Sequence, residues 1–164
     1  MTKQPQKLLY TPAQRQRRDA TRWTLVQGVL APLQFLVFLV SLALVLRFLA
    51  TGSGHDAAAL SVLVKTLVLL IIMVTGACWE KAVFGRYLFA PAFFWEDAVS
   101  SIVIVAHLAY VSMFAVSLGT PIEQMLVACV AYGLYLINAA QYLWKFRRAR
   151  LDTPAPLVAQ GALT

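Results

Sequence analysis

Three carboxylates, Glu80, Glu96 and Asp97, stand in one short polar stretch of an otherwise apolar chain. They belong to two nearly matching segments, Trp79-Glu80-Lys81-Ala82-Val83 and Trp95-Glu96-Asp97-Ala98-Val99. Carboxylates held near one another or away from water lose stability as anions, and their pKa values rise. A carboxyl with a raised pKa is what a general acid at neutral pH requires, and a second carboxylate can guide water. Glu80 and Glu96 are the expected acid and water-orienting pair, with Asp97 as a substitute or supporting group. Pairing with Lys81 or Arg86 would cancel the shift. Trp and Tyr also collect at membrane interfaces without any chemical role.

Composition determines what must position these groups. Of 164 residues, 60% are hydrophobic and 13% charged, where soluble domains are nearer half and about a quarter. The apolar residues fall into four runs, Leu25–Leu49, Ala57–Cys78, Ala98–Leu118 and Ile122–Trp144. Each is near the roughly 20 residues that cross a bilayer as helix. The expected fold is all-α, an integral membrane four-helix bundle. It comprises a basic N-terminal segment (1–24), a four-span domain (25–144) with a polar loop at 79–97, and a tail (145–164) that is basic and then disordered. Twelve of the 14 basic residues flank the spans on one side if there are four crossings. The positive-inside rule then puts both termini and the 79–97 loop in the cytoplasm of a bacterial inner membrane. The net charge of +7 sits on these flanks, so it points to anionic lipid and not to nucleic acid.

Several polar residues lie inside the spans. Gln27, Gln34 and Ser41 are seven apart and share one face of span one. Asn138 and Gln141 share a face of span four. Lys65 is deep in span two, and a charge at that depth should face protein or water; Gln34 and His107 are candidate neighbours. His107 is near the middle of span three, about 15 Å along a helix from Asp97. Its readings are bundle hydrogen-bonder, proton relay or metal ligand. No protein metal site is signalled, since no other His or Cys is near it in sequence. Cys78 and Cys129 sit at different depths, which disfavours a disulfide. Thr11-Pro12-Ala13-Gln14 has the form of a helix start.

Phe84, Tyr87, Phe89, Phe93, Phe94 and Trp95 make the polar stretch unusually aromatic. Rings at a membrane interface suit a flat ligand that partitions into lipid; the alternative is an interfacial segment packed on the bundle. The chain has no Gly-rich nucleotide loop, no Ser-His-Asp pattern and no Cys-x-x-Cys.

The segment from Trp23 to Pro32 resembles the 3-vinyl bacteriochlorophyllide hydratases. So do the long stretch from Thr75 to Asp97 and the region from Tyr132 to Gln141. The similarity runs from about Leu9 to Arg150. It implies an enzyme of photosynthetic bacteria that adds water across the C3 vinyl group of a chlorophyllide in bacteriochlorophyll a formation. The product carries a 1-hydroxyethyl group. Protonating the terminal vinyl carbon leaves a cation delocalised into the macrocycle, which water captures. In this reading Glu80, Glu96 and Asp97 are catalytic. Trp79, Lys81, Arg86, Tyr87, Phe93, Trp95 and His107 bind substrate, with Lys81 or Arg86 pairing with a propionate. No cofactor is expected, because magnesium enters only within the tetrapyrrole substrate, with His107 as one axial ligand to consider. Expected partners are the chlorophyllide, the bilayer, and a second copy of the chain or other pigment-pathway enzymes. The rival reading is a non-catalytic pigment-binding or assembly subunit of a photosynthetic membrane complex. A proton-coupled exporter fits less well, since no acid lies within a span.

Overall fold

The computed structural model describes residues 9–151, with side chains to residue 148. Met1–Leu8 and the segment 152–164, including the expected disordered tail, lie outside them. Among the described residues there are five helices: α1 (Pro12–Ala20), α2 (Arg22–Thr51), α3 (His55–Phe84), α4 (Phe94–Ala115) and α5 (Pro121–Leu151). The class is all-α. The last four are long and apolar enough to cross a membrane.

Local chemistry sets the helix ends. At α1, the Thr11 hydroxyl accepts the Gln14 N–H at 3.2 Å, and the Gln14 side chain accepts the Thr11 N–H at 2.9 Å. This reciprocal pair, followed by Pro12, satisfies two N–H groups that a helix start leaves free. The α3 helix ends at Gly85, whose φ of 84° is a left-handed conformation that glycine adopts without steric cost. Lys81, in its last turn, donates from Nζ to the Gly85 carbonyl at 3.0 Å.

Short connections make successive helices antiparallel. α2 packs chiefly on α3 and α4 on α5, while α3 also touches α4 and α5. The starts of α2 and α4 therefore share one end of the bundle with the ends of α3 and α5. The core holds Phe38, Val45, Val62, Val103, Tyr110, Met125 and Tyr132. Buried Ala58, Ala59 and Ala128 let backbones approach closely, which matters where lipid offers no hydrophobic drive between helices. Leu25, Val29, Leu36, Leu67 and Val130 face outward.

Polar links add to this packing. Trp79 Nε1 donates to Thr24 Oγ1 at 3.0 Å, and Gln27 Nε2 donates to Thr75 Oγ1 at 2.7 Å, both joining α2 to α3. Gln34 and Ser41 are buried, as their spacing suggests. Ser41 bonds Ser61 of α3 and Tyr132 of α5. Lys65 lies 4.0 Å over the Tyr135 ring, a cation–π contact; its Nζ has no hydrogen-bond partner among the described residues. Both cysteines are free thiols.

The 30 residues of α3 extend about 45 Å, against an apolar bilayer core of about 30 Å. The helix overruns its apolar run, which stops at Cys78, so Glu80 stands beyond the spanning segment. We predict that Phe38→Ala lowers stability by about 3 kcal/mol, measured by detergent-titration unfolding. This is the low end for a buried aromatic, because lipid removes much of the transfer term and leaves lost packing against Tyr132 and Tyr135.

Candidate active site

Trp79 and Glu80 are on the last turns of α3, and Trp95, Glu96 and Asp97 are in the first turn of α4. Only residues 85–93 connect the two helices. Acids in a first helical turn meet the positive end of the helix dipole. The chain reverses so tightly that Glu80 and Asp97 come within hydrogen-bonding reach of each other. Both are buried, at 4% and 2% exposure.

The connecting backbone clasps this pair. The Phe89 N–H donates to Asp97 Oδ2 at 2.7 Å, and the next N–H, of Ala90, donates to Glu80 Oε2 at 3.2 Å. Phe89 has φ of 57°, in the left-handed region that costs a non-glycine residue about 1–2 kcal/mol. The two carboxylate hydrogen bonds offset that strain.

Charge balance decides which acid holds a proton. Glu96, also buried, pairs with Lys145 of α5, which lies over the Phe93 ring at 4.7 Å. Lys145 is thus committed to one of three neighbouring carboxylates. Burial first, and then the Asp97 charge, push the Glu80 carboxyl up to about 8. Asp97 is also raised by burial, against the Phe89 N–H and the Glu80 carboxyl, which favour its anion. Asp97 accepts the shorter of the two backbone hydrogen bonds, which leaves Glu80 as the better placed of the two acids to hold a shared proton. The structure brings Glu80 together with Asp97, the acid expected in a supporting role, and brings Glu96 together with Lys145.

The aromatic residues divide into two sets. Phe93, at 1% exposure, is packed among Trp79, Phe84, Tyr10 and Tyr142. Trp79 and Phe93 thus form an enclosed floor. Phe89, Phe94 and Trp95 form an exposed face, with ring centroids 5.6 and 5.5 Å apart. Trp95 precedes Asp97 by two residues, or about 200° around a helix, so it faces away from the carboxylate pair. Lys81, Arg86 and Tyr87 are exposed beside this face, with Lys81 Nζ 5.2 Å over the Tyr87 ring. His107 is fully enclosed, donating from Nδ1 to the Val103 carbonyl at 2.8 Å, and is not brought to the carboxylates. Among the described residues, no three His, Cys, Asp or Glu side chains gather as a metal site.

Sequence reading missed three members of this cluster. Lys145 and Tyr142 look like parts of an interfacial aromatic-basic belt, and Ser100 carries no signal of its own. Tyr142 is within hydrogen-bonding reach of Ser100 and feels all three acids, while Asn138 Nδ2 donates to Ser100 Oγ at 2.8 Å. The available signal was spacing: 138, 142 and 145 share one face of α5, as 97 and 100 share one face of α4.

A family model described as 2-vinyl bacteriochlorophyllide hydratase matches residues 10–148. The chain belongs to this family. It is 62% identical over 152 residues to the 2-vinyl bacteriochlorophyllide hydratase of Cereibacter sphaeroides, covering 92% of this chain and 94% of that one. It is also 62% identical over 147 residues to the protein of that name from Rhodobacter capsulatus, covering 89% and 85%. No solved structure matches the chain significantly. The matched region of this hydratase-family chain contains all three acids, Lys145 and the 85–93 clasp.

Two outcomes test the geometry. A protonated-carboxyl infrared band should be present at pH 7, disappear as pH rises through about 8, and be missing in Glu80→Gln. The folded state holds this proton more tightly than the unfolded chain. The stability it contributes is full below the unfolded value of 4.5 and is lost as pH rises through about 8. Lys145→Met should cost about 2–3 kcal/mol by unfolding titration, below the range for a fully buried pair because Lys145 keeps some solvent contact. The double variant Lys145→Met/Glu96→Gln should recover most of that loss.

Proposed function

We propose that this chain hydrates the ring vinyl group of a bacteriochlorophyllide-type tetrapyrrole to a 1-hydroxyethyl group, as a carbon–oxygen hydro-lyase of bacteriochlorophyll formation. The vinyl position is numbered 2 in the relatives' names and 3 in the sequence resemblance above. The observation that carries the mechanism is the buried Glu80–Asp97 pair, in which Asp97 accepts from the Phe89 N–H and Glu80 from the Ala90 N–H.

Glu80 gives its proton to the terminal vinyl carbon. The C=C π pair forms the new C–H bond, and the cation left on the inner carbon spreads into the macrocycle. Water attacks that carbon while Asp97 takes the water's proton. Transfer of this proton from Asp97 to Glu80 restores the starting pair, so one water is consumed and no redox change occurs. Two carboxyls with pKa values driven apart divide these roles as acid and base. Glu96 supports the pair by engaging Lys145, whose charge still favours the Glu80 anion but is outweighed there by burial and the Asp97 charge.

The vinyl edge of the macrocycle lies against Phe89 and Phe94, whose π faces suit a flat ring and a developing cation, and its far edge extends over Trp95. Arg86 and Lys81 receive its propionate. Phe89 joins binding to chemistry, because its ring belongs to this face and its N–H holds Asp97. Magnesium arrives within the substrate, and the reaction calls for no other cofactor. The basic flanks favour an orientation with this end of the bundle toward the cytoplasm, in a bacterial inner membrane.

Membranes containing the protein, incubated with vinyl chlorophyllide, should yield a product heavier by one water. Glu80→Gln and Asp97→Asn should each lower the rate at least about 100-fold with the protein still inserted. Glu96→Gln should be milder. Full activity in both Glu80→Gln and Asp97→Asn would sink the assignment. The rate should fall as pH rises through about 8, where Glu80 loses its proton.

A further inference from the structure

Hydration needs its second reactant, water, beside Asp97 at the moment the flat substrate covers the solvent side of the site. The structure places a polar group directly behind the carboxylate pair, on the bundle side. Ser100 is one helical turn from Asp97 and fully enclosed, at 1% exposure. Its hydroxyl accepts from Asn138 Nδ2 at 2.8 Å and is within reach of the Tyr142 phenol. Tyr142 in turn lies close enough to Asp97, Glu80 and Glu96 to feel their charge.

Two acceptors on this stretch of α5 are left over. Asn138 Oδ1 and Gln141 Oε1 are enclosed and have no hydrogen-bond partner among the described residues. Asn138 is 7% exposed. Exchanging the oxygen and nitrogen of the Asn138 amide does not remove the difficulty, because Ser100 can satisfy only one of them. A buried polar atom without a partner costs about 1–3 kcal/mol. Two such atoms three residues apart on one face of α5, one of them on the residue bonded to Ser100, are not a feature that packing alone favours.

We infer that Asn138 and Gln141 form an internal water-binding site that holds the reacting water, or its immediate replacement, on the bundle side of Asp97. The inference rests on the hydratase reading above. The ligand class follows from the chemistry of the group. Two carbonyl-type oxygens need a donor, which excludes an anion. The neighbouring Ser100 and Tyr142 hydroxyls can both give and accept, which suits a molecule that does the same. Water is the smallest such molecule, and enclosed waters typically make about three hydrogen bonds. In use, the water donates to Asn138 Oδ1 and moves toward Asp97 along the Ser100–Tyr142 edge as the vinyl carbon is protonated. The same stripe of α4 continues inward to His107 and Tyr110, which also carry enclosed polar atoms without partners. The wet side of the site is thus the protein interior, and the pigment side is the aromatic face. Asn138 and Gln141 are positioning residues, acting on the substrate water and not on the pigment.

The test uses the fact that Asn138 is the sole asparagine of the chain. Asparagine-selective 15N labelling therefore yields one side-chain amide signal. In solid-state NMR of the protein in bilayers, magnetisation from water should reach this amide as fast as it reaches exposed groups, despite its burial. Transfer as slow as to the apolar core would overturn the inference. With vinyl chlorophyllide, Asn138→Leu and Gln141→Leu should each lower kcat at least tenfold while KM for the pigment stays within twofold. An unchanged kcat in both variants would also overturn it. Failure of the hydratase reading looks different: the wild-type protein would give no hydrated product, whatever the NMR result.

Discussion

A single ammonium group among three buried carboxylates sets the arrangement at one end of this helical bundle. Lys145 reaches from α5 to Glu96 on α4, and that ion pair uses the nearest positive charge. Glu80 from α3 and Asp97 from α4 are then too close, and too far from water, to be anions together. Sharing one proton is the solution available to them, and it ties α3 to α4. The same cluster thus fastens three helices and creates a donor–acceptor carboxyl pair at neutral pH.

The short connection between α3 and α4 is shaped around this pair. Its backbone turns left-handed at Phe89, a residue that resists that conformation, because the turn aims two successive N–H groups at the two acids. The turn also throws the Phe89 ring outward to meet Phe94 and Trp95. Below it, Phe93 drops into an enclosed cluster with Trp79 and Tyr142. The aromatic residues therefore serve two purposes. One set is an enclosed floor, and the other is an exposed face. The membrane-spanning part supports this end through small-residue contacts and polar links such as Trp79 to Thr24 and Gln27 to Thr75.

Much of this was legible in the chain. Apolar runs of bilayer length fix an all-α protein with four long helices, since only helices satisfy every backbone group within one segment in lipid. Thr11, Pro12 and Gln14 announce α1 through a capping pattern that needs no tertiary partner. The clustering of Glu80, Glu96 and Asp97 with aromatic residues marks the functional end, because a tight reversal keeps sequence neighbours together in space. The two Trp-Glu segments mislead in one respect. They resemble each other as strings, but one ends an outgoing helix and the other begins a returning one. The same order of residues therefore meets the bundle with different rotational phase: Trp79 turns inward and Trp95 outward.

The class of the fold, its long helices and the clustering of the acids follow from the order of residues alone. The tertiary structure alone decided that Asp97, not Glu96, opposes Glu80. It also decided that Lys145 answers Glu96, and that Ser100, Asn138 and Tyr142 stand behind the pair. The reason is physical. Helix formation and membrane span length follow from local hydrogen bonding and hydropathy, which a string of residues carries within itself. Proton sharing depends on distances of a few ångströms between side chains on three different helices, and Lys145 lies 49 residues from Glu96 along the chain. Only the packing of α5 on α4, and of both on α3, fixes those distances.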